Sequence, residues 1–109
     1  MDVQPTQRGF MHGKFIDTYN QKCSIQKSSA ACYDAIWLGV DNADPKIMVS
    51  DARRMGILDA DKRTGEDRNG WMEYPLPEEV LLSTRMHLTR EMVIELLPLL
   101  QRFADTGEL

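Results

Sequence analysis

The stretch Val80-Leu81-Leu82-Ser83-Thr84-Arg85-Met86-His87-Leu88-Thr89 runs directly into Arg90-Glu91-Met92-Val93-Ile94-Glu95-Leu96-Leu97-Pro98-Leu99-Leu100-Gln101-Arg102-Phe103-Ala104. The first part alternates. Val80, Leu82, Thr84, Met86 and Leu88 fall on one side, Leu81, Ser83, Arg85 and His87 on the other, which predicts a strand. At Thr89 the period changes to that of a helix. Thr89 is a good N-cap, and Glu91 brings a negative charge to the positive end of the helix dipole. The helix is expected to reach about Ala104 and to end near Gly107. Met92, Val93, Leu96, Leu99, Leu100 and Phe103 form its apolar face, with Glu91, Glu95, Gln101, Arg102 and Asp105 left to water. Pro98 lacks a backbone donor and is expected to kink or unwind the helix at Ile94–Leu97.

Working outward, residues 14–19 and 23–29 read as two strands joined by a turn at Asn20-Gln21-Lys22, and Ala35-Ile36-Trp37-Leu38-Gly39-Val40 as a third. Ile36, Leu38 and Val40 would join Val80, Leu82, Met86 and Leu88 in a core beneath the helix. The expected fold is α+β: a small antiparallel sheet of about four strands packed by a kinked C-terminal helix. A flexible N-terminal arm is expected over 1–12, and a single domain over 13–109 with a variable polar loop about 58–70. Asp41–Pro45 reads as a turn cluster. Ser50 reads as the cap of a short helix over 51–55 that stops at Gly56.

The chain has 109 residues and a formal net charge of -4, with 42% hydrophobic and 28% charged residues. That is room for one modest core. The acidic balance argues against bulk nucleic-acid binding, because proteins that coat phosphates carry a basic excess. Cys23 and Cys32 have neither the spacing of a redox pair nor that of a zinc pair, and read as free thiols. No metal and no cofactor is expected. Residues 1–10 hold no apolar segment of the signal-peptide kind, and no run approaches the roughly 20 apolar residues of a membrane span. A cytoplasmic protein without membrane contact is expected.

If the apolar side of the third strand faces the core, Trp37 turns to the opposite face with Ser83, Arg85 and His87. The second strand then adds either Gln26 with Ser24 and Ser28, or Ile25 with Cys23 and Lys27. A Trp beside Arg, His and short polar groups suits a nucleotide: the indole stacks on a base, guanidinium grips phosphate, and hydroxyls and an amide read edges. Trp37, Arg85, His87, Gln26 and Ser28 are the candidate ligand-binding residues. Arg90 joins them as a cation beside the free backbone donors of a helix start. The same face with Leu81 could instead be buried between copies of the chain. Lys46, Arg53 and Arg54 read as solvated surface.

Catalytic motifs are missing. There is no GxSxG, phosphate-binding Gly-rich loop, HExxH or dinucleotide fingerprint, and Asp59-Ala60-Asp61 departs from an EF-hand at its glycine and at Gly70. A thiol nucleophile built from Cys23 or Cys32 with His12 or His87 has no third group to orient it. A non-enzymatic protein is expected.

The blocks Cys23-Ser24-Ile25-Gln26-Lys27-Ser28-Ser29, Ala35-Ile36-Trp37-Leu38-Gly39, Arg85-Met86-His87-Leu88-Thr89 and the ending Leu96 to Leu109 resemble a family of short proteins encoded by bacteriophages and prophages. The likeness runs from about Gly13 to the end, with Pro45–Pro77 variable, and the family has no assigned chemistry. The resemblance implies action in the host bacterial cytoplasm against host defence. One expectation is a homo-oligomer that sequesters a cyclic nucleotide-type immune signal through Trp37, Arg85, His87 and Arg90. The alternative is an anti-CRISPR protein that binds a host defence protein, a Cas effector. It would mimic nucleic acid with acids such as Asp41, Asp44, Asp59, Asp61, Glu66 and Asp67. A phage DNA-transaction factor is a third reading, disfavoured by charge.

Overall fold

A computed structural model describes residues 1–57 and 70–109. The expected polar loop about 58–70 lies, but for Gly70, outside the described residues, as do Asp59, Asp61, Glu66 and Asp67. The chain divides into two compact units, Met1–Asn42 with Ser83–Leu109, and Ala43–Leu82, where a single domain was expected.

The first unit is α+β. It is built on a five-stranded antiparallel sheet of order β1-β2-β3-β4-β7 and carries the C-terminal helix α2, Arg90–Thr106. The strands are β1 (Val3–Pro5), β2 (Met11–Ile16), β3 (Lys22–Lys27), β4 (Ala35–Val40) and β7 (Arg85–Thr89). The chain reverses between β2 and β3 through Asn20, whose φ of 62° an asparagine tolerates. Asp17 Oδ1 accepts from the backbone N–H of Tyr19 and of Gln21, both at 2.9 Å, and so holds that turn. Residues 3–5, expected to lie in a loose arm, instead form an edge strand paired with β2 through Val3↔Gly13 and Pro5↔Met11. Gly9 (φ 86°) turns the intervening loop, which Thr6 closes by backbone bonds with Phe10 and Gly9.

Register separates the sheet's faces. Directly opposed residues share a face, so Val3, Gly13, Ile25, Leu38 and Met86 line one side while His12, Gln26, Trp37 and His87 line the other. The expected alternation of Ile36, Leu38 and Val40 away from Trp37 is therefore found. Close approach fixes Gly13 on the apolar side: a Cβ there would lie 2.9 Å from Met1 Sδ and 3.2 Å from Val3 Cγ2.

Two expectations about the core are corrected. The strand of the last third begins at Arg85, not Val80; Val80 and Leu82 are exposed and belong to the other unit. Three consecutive apolar residues, Val80-Leu81-Leu82, carry no alternation that would pin them to one face. The helix packs on the sheet, as expected, but buries none of its own residues there. α2 starts where β7 ends, capped by Thr89, whose hydroxyl accepts from Met92 N–H at 3.4 Å, and it has no buried residue. Its first turns border a groove of about 530 Å³ whose lining includes Ile36, Leu88, Val93 and Ile94. It stays helical through Pro98, so no unwinding occurs at Ile94–Leu97. Gly107 (φ 77°) closes it, as expected.

The second unit pairs β5 (Lys46–Met48) with β6 (Trp71–Glu73) beside the short helix α1 (Val49–Arg54). Val49, Ala52 and Met72 form its core. The expected Ser50 cap is corrected: the N-cap is Met48, which offers no side-chain acceptor, and Ser50 lies within the helix. Val49 N–H instead bonds the Gly70 carbonyl at 2.9 Å.

Candidate functional site

The sheet's polar face has a built arrangement. Arg85 on edge strand β7 reaches inward across β4, and its Nη1 donates to Gln26 Oε1 at 3.0 Å and to Ser24 Oγ at 3.3 Å on β3. Gly39 makes the passage possible, because it stands between Ser24 and Arg85 in register and carries no side chain. A Cβ on Gly39 would meet Arg85 Cα at 3.2 Å, and its φ is 146°. Ser24 is 1% exposed and donates onward to Asp41 Oδ1. The chain Arg85–Ser24–Asp41 thus ties a guanidinium to a carboxylate through a buried hydroxyl.

Next along β7, His87 stacks on Trp37, its direct cross-strand partner, with centroids 4.1 Å apart and planes 28° apart. Its Nε2 shares a 2.8 Å hydrogen bond with the hydroxyl of buried Ser28. Tyr33 meets the imidazole edge-on at 6.1 Å, and the Arg85 guanidinium lies 5.6 Å from the Trp37 ring centre. Both Arg85 and His87 are thereby held in place by groups on β3 and β4.

Five of the six expected site residues, Gln26, Ser28, Trp37, Arg85 and His87, share this face. Of the two options for the second strand, it is Gln26 with Ser24 and Ser28 that faces Trp37. Arg90 is the exception. It borders the groove at the start of α2, and its Nη1 lies 3.9 Å from Asp34 Oδ2. The physical reason is the change of period at Thr89, where entry into the helix turns the next side chain off the sheet face.

Beside the Trp37–Arg85 pair is a cup of about 390 Å³, floored by Gln26, Trp37 and Arg85 and walled by Thr6, Gln7, Arg8 and Phe10 of the β1–β2 loop. Lys27 and Ser29 complete the lining, which contains no carboxylate. Lys27 commits its ammonium to Asp34 at 2.9 Å, so Arg8 and Arg85 supply the cup's charge. Arg8 lies 5.8 Å from the Phe10 ring centre. The sequence reading missed this wall by treating 1–12 as a loose arm. The available signal was Gly9 between Val3 and Met11, a hairpin turn in a polar setting. His87 and Ser28 do not line the cup; they brace its floor.

Among the described residues no cluster of three or more His, Cys, Asp or Glu could hold a metal ion. Both cysteines are free, Cys23 buried and Cys32 exposed, and burial pushes the Cys23 thiol pKa up, aided by Asp17 and Asp41. Of the acids expected to mimic nucleic acid, Asp41 is engaged by Ser24, and Asp44 lies 3.4 Å from Lys46 Nζ. No helix among the described residues is long and apolar enough to cross a membrane. Comparison with known protein families, with curated proteins and with solved structures finds no match to this chain.

Proposed function

We propose that this chain is a non-enzymatic binding protein whose cup takes a nucleotide-type anion, and that its role is to sequester a cyclic nucleotide-type immune signal in a host bacterium. One observation carries the reading: in a chain of net charge -4, a recess lined by two arginines and two aromatic rings contains no acid. Arg85 spends only Nη1 on Gln26 and Ser24, which leaves a preset fork for phosphate. Trp37 and Phe10 offer flat apolar surface to a base, and Gln26, Thr6 and Ser29 offer edge contacts. The bacteriophage setting is supported by the resemblance of the sequence blocks.

The test is isothermal titration of the full chain with a panel of cyclic mononucleotides and cyclic dinucleotides at low ionic strength. Saturable binding to at least one is expected, with the ligand recovered intact after denaturation. Arg85→Ala should weaken it more than tenfold, about 1.4 kcal/mol, and Arg8→Ala by less. No binding across the panel, or unchanged binding by Arg85→Ala, contradicts the assignment.

A further inference from the structure

The cup has a neighbour on the same sheet face. A second recess, of about 410 Å³, is lined by Asp2, Gln4, Pro5, Thr6, His12 and Lys14. Thr6 borders both recesses, and their floors meet, because His12 in the second is the direct cross-strand partner of Gln26 in the first. Register lays this face out in two adjacent rows. Gln4, His12, Gln26, Trp37 and His87 oppose one another from β1 to β7, a row of amides and rings. Two residues along, Lys14, Ser24, Gly39 and Arg85 form the next row, with a cation on β2 and another on β7. Arg85 reaches inward to Ser24, which is itself the cross-strand partner of Lys14, so the two charges converge. Ion pairing is segregated as well. Lys27, Lys46, Arg54 and Arg90 each lie 2.9–3.9 Å from an acid. Among the described residues Arg8, Lys14 and Arg85 have no such partner, and all three line one or both of these recesses.

We infer that the ligand is two linked nucleotides rather than one: the first lies in the cup, and the second over β2, its base on the His12 ring and its phosphate on Lys14. This ligand class rests on the nucleotide reading of the cup and makes it specific. The two rows select it. Rings set beside cations are the pattern that stacks bases and grips phosphates. His12 and Trp37 stand two strands apart, about 10 Å, so each ring takes its own base, with Gln26 between them. The adjoining row then offers a separate cation to each phosphate, Arg85 to the first and Lys14 to the second. A single nucleotide occupies one recess and leaves His12 and Lys14 facing water. Asp2 is the one acid in either lining, and it opposes the second phosphate.

Isothermal titration of the full chain with matched probes tests it. For adenine the probes are the 3′,5′-cyclic mononucleotide, the cyclic dinucleotide and the linear dinucleotide, and the guanine set is the same. For at least one base, a dinucleotide should bind about tenfold more tightly than the mononucleotide, at one per chain. A tighter cyclic form identifies a signalling molecule as the source, and a tighter linear form a stretch of single strand. Lys14→Ala and His12→Ala should each remove most of that margin. Both should leave mononucleotide affinity within about twofold, which also shows that the cup is intact. Asp2→Asn should raise affinity for the dinucleotide alone. Equal affinity for matched probes overturns the inference and leaves the cup's reading in place. So does a Lys14→Ala loss shared by both probes, and so does one dinucleotide per two chains. A chain that binds none of the probes overturns both.

Discussion

The imidazole of His87 and the indole of Trp37 face each other at 4.1 Å from directly paired positions on β7 and β4, and the same imidazole is bonded to Ser28 at 2.8 Å. The indole of the cup floor is thus held by a ring that is itself held. His87→Ala removes the stacking and the 2.8 Å bond to Ser28, whose hydroxyl then keeps only the bond it accepts from Ala30 N–H at 3.2 Å, for a loss of about 1–3 kcal/mol. Chemical denaturation measures it. In a Trp71→Phe background, the remaining emission comes from Trp37, and a nucleotide stacking on it should quench that signal; unaltered emission at saturating ligand would place the base elsewhere.

Gly39→Ala tests the packing beneath Arg85. The new Cβ would meet the Arg85 Cα and the Thr84 carbonyl oxygen, both at 3.2 Å, and these are backbone atoms that cannot swing aside. With φ at 146° the substitution should cost about 1–3 kcal/mol and displace β7. Ligand affinity should fall with stability here, whereas Gly56→Ala, which meets nothing within 4 Å, should leave affinity unchanged despite its φ of 74°.

The two cysteines should react at very different rates. Cys32 is exposed; Cys23 is 4% exposed and its thiol is held above the ordinary value of 9.0 by burial first, then by Asp17 and Asp41. Iodoacetamide at pH 8 should add one group to the native chain and two in denaturant, with Cys23 slower by more than tenfold. A raised pKa means that this thiol's contribution to stability is complete below its unfolded value. It is lost as pH rises through the folded one. Cys23→Ser should remove that alkaline decline.

Asp34 titrates in the opposite sense. Its hydrogen bond from Lys27 Nζ, then the Lys27 charge, hold it below 3.8, with a smaller contribution from Arg90. The pairing therefore contributes above the unfolded pKa and fades as pH falls through the lower folded value. The pair is exposed, so Asp34→Asn should lower the thermal midpoint only slightly at pH 7 and low salt. That small difference should vanish on acidification below the folded pKa.

The sheet was legible because β3 and β4 alternate cleanly and a long helix announces itself at Thr89. Placing Trp37, Arg85 and His87 on one face followed from the period of two alone. Gln26 over Ile25 required register, which cross-strand pairing sets and a single strand does not encode. The cup wall was missed because Asp2 to Gly9 looks polar and loose until Val3 is seen packing over Gly13. The helix misled in another way: its amphipathic pattern was legible, but the pattern does not tell how much of the apolar face is buried, and in the fold α2 has no buried residue.

The central claim is that Arg85 and Trp37 hold a nucleotide-type anion, and native mass spectrometry of the chain purified from bacteria with an active defence response tests it most directly. The account predicts a non-covalent adduct of nucleotide mass on the wild-type chain, released intact on denaturation and absent from Arg85→Ala. A wild-type chain that carries no adduct, or an Arg85→Ala chain that carries the same one, would contradict it.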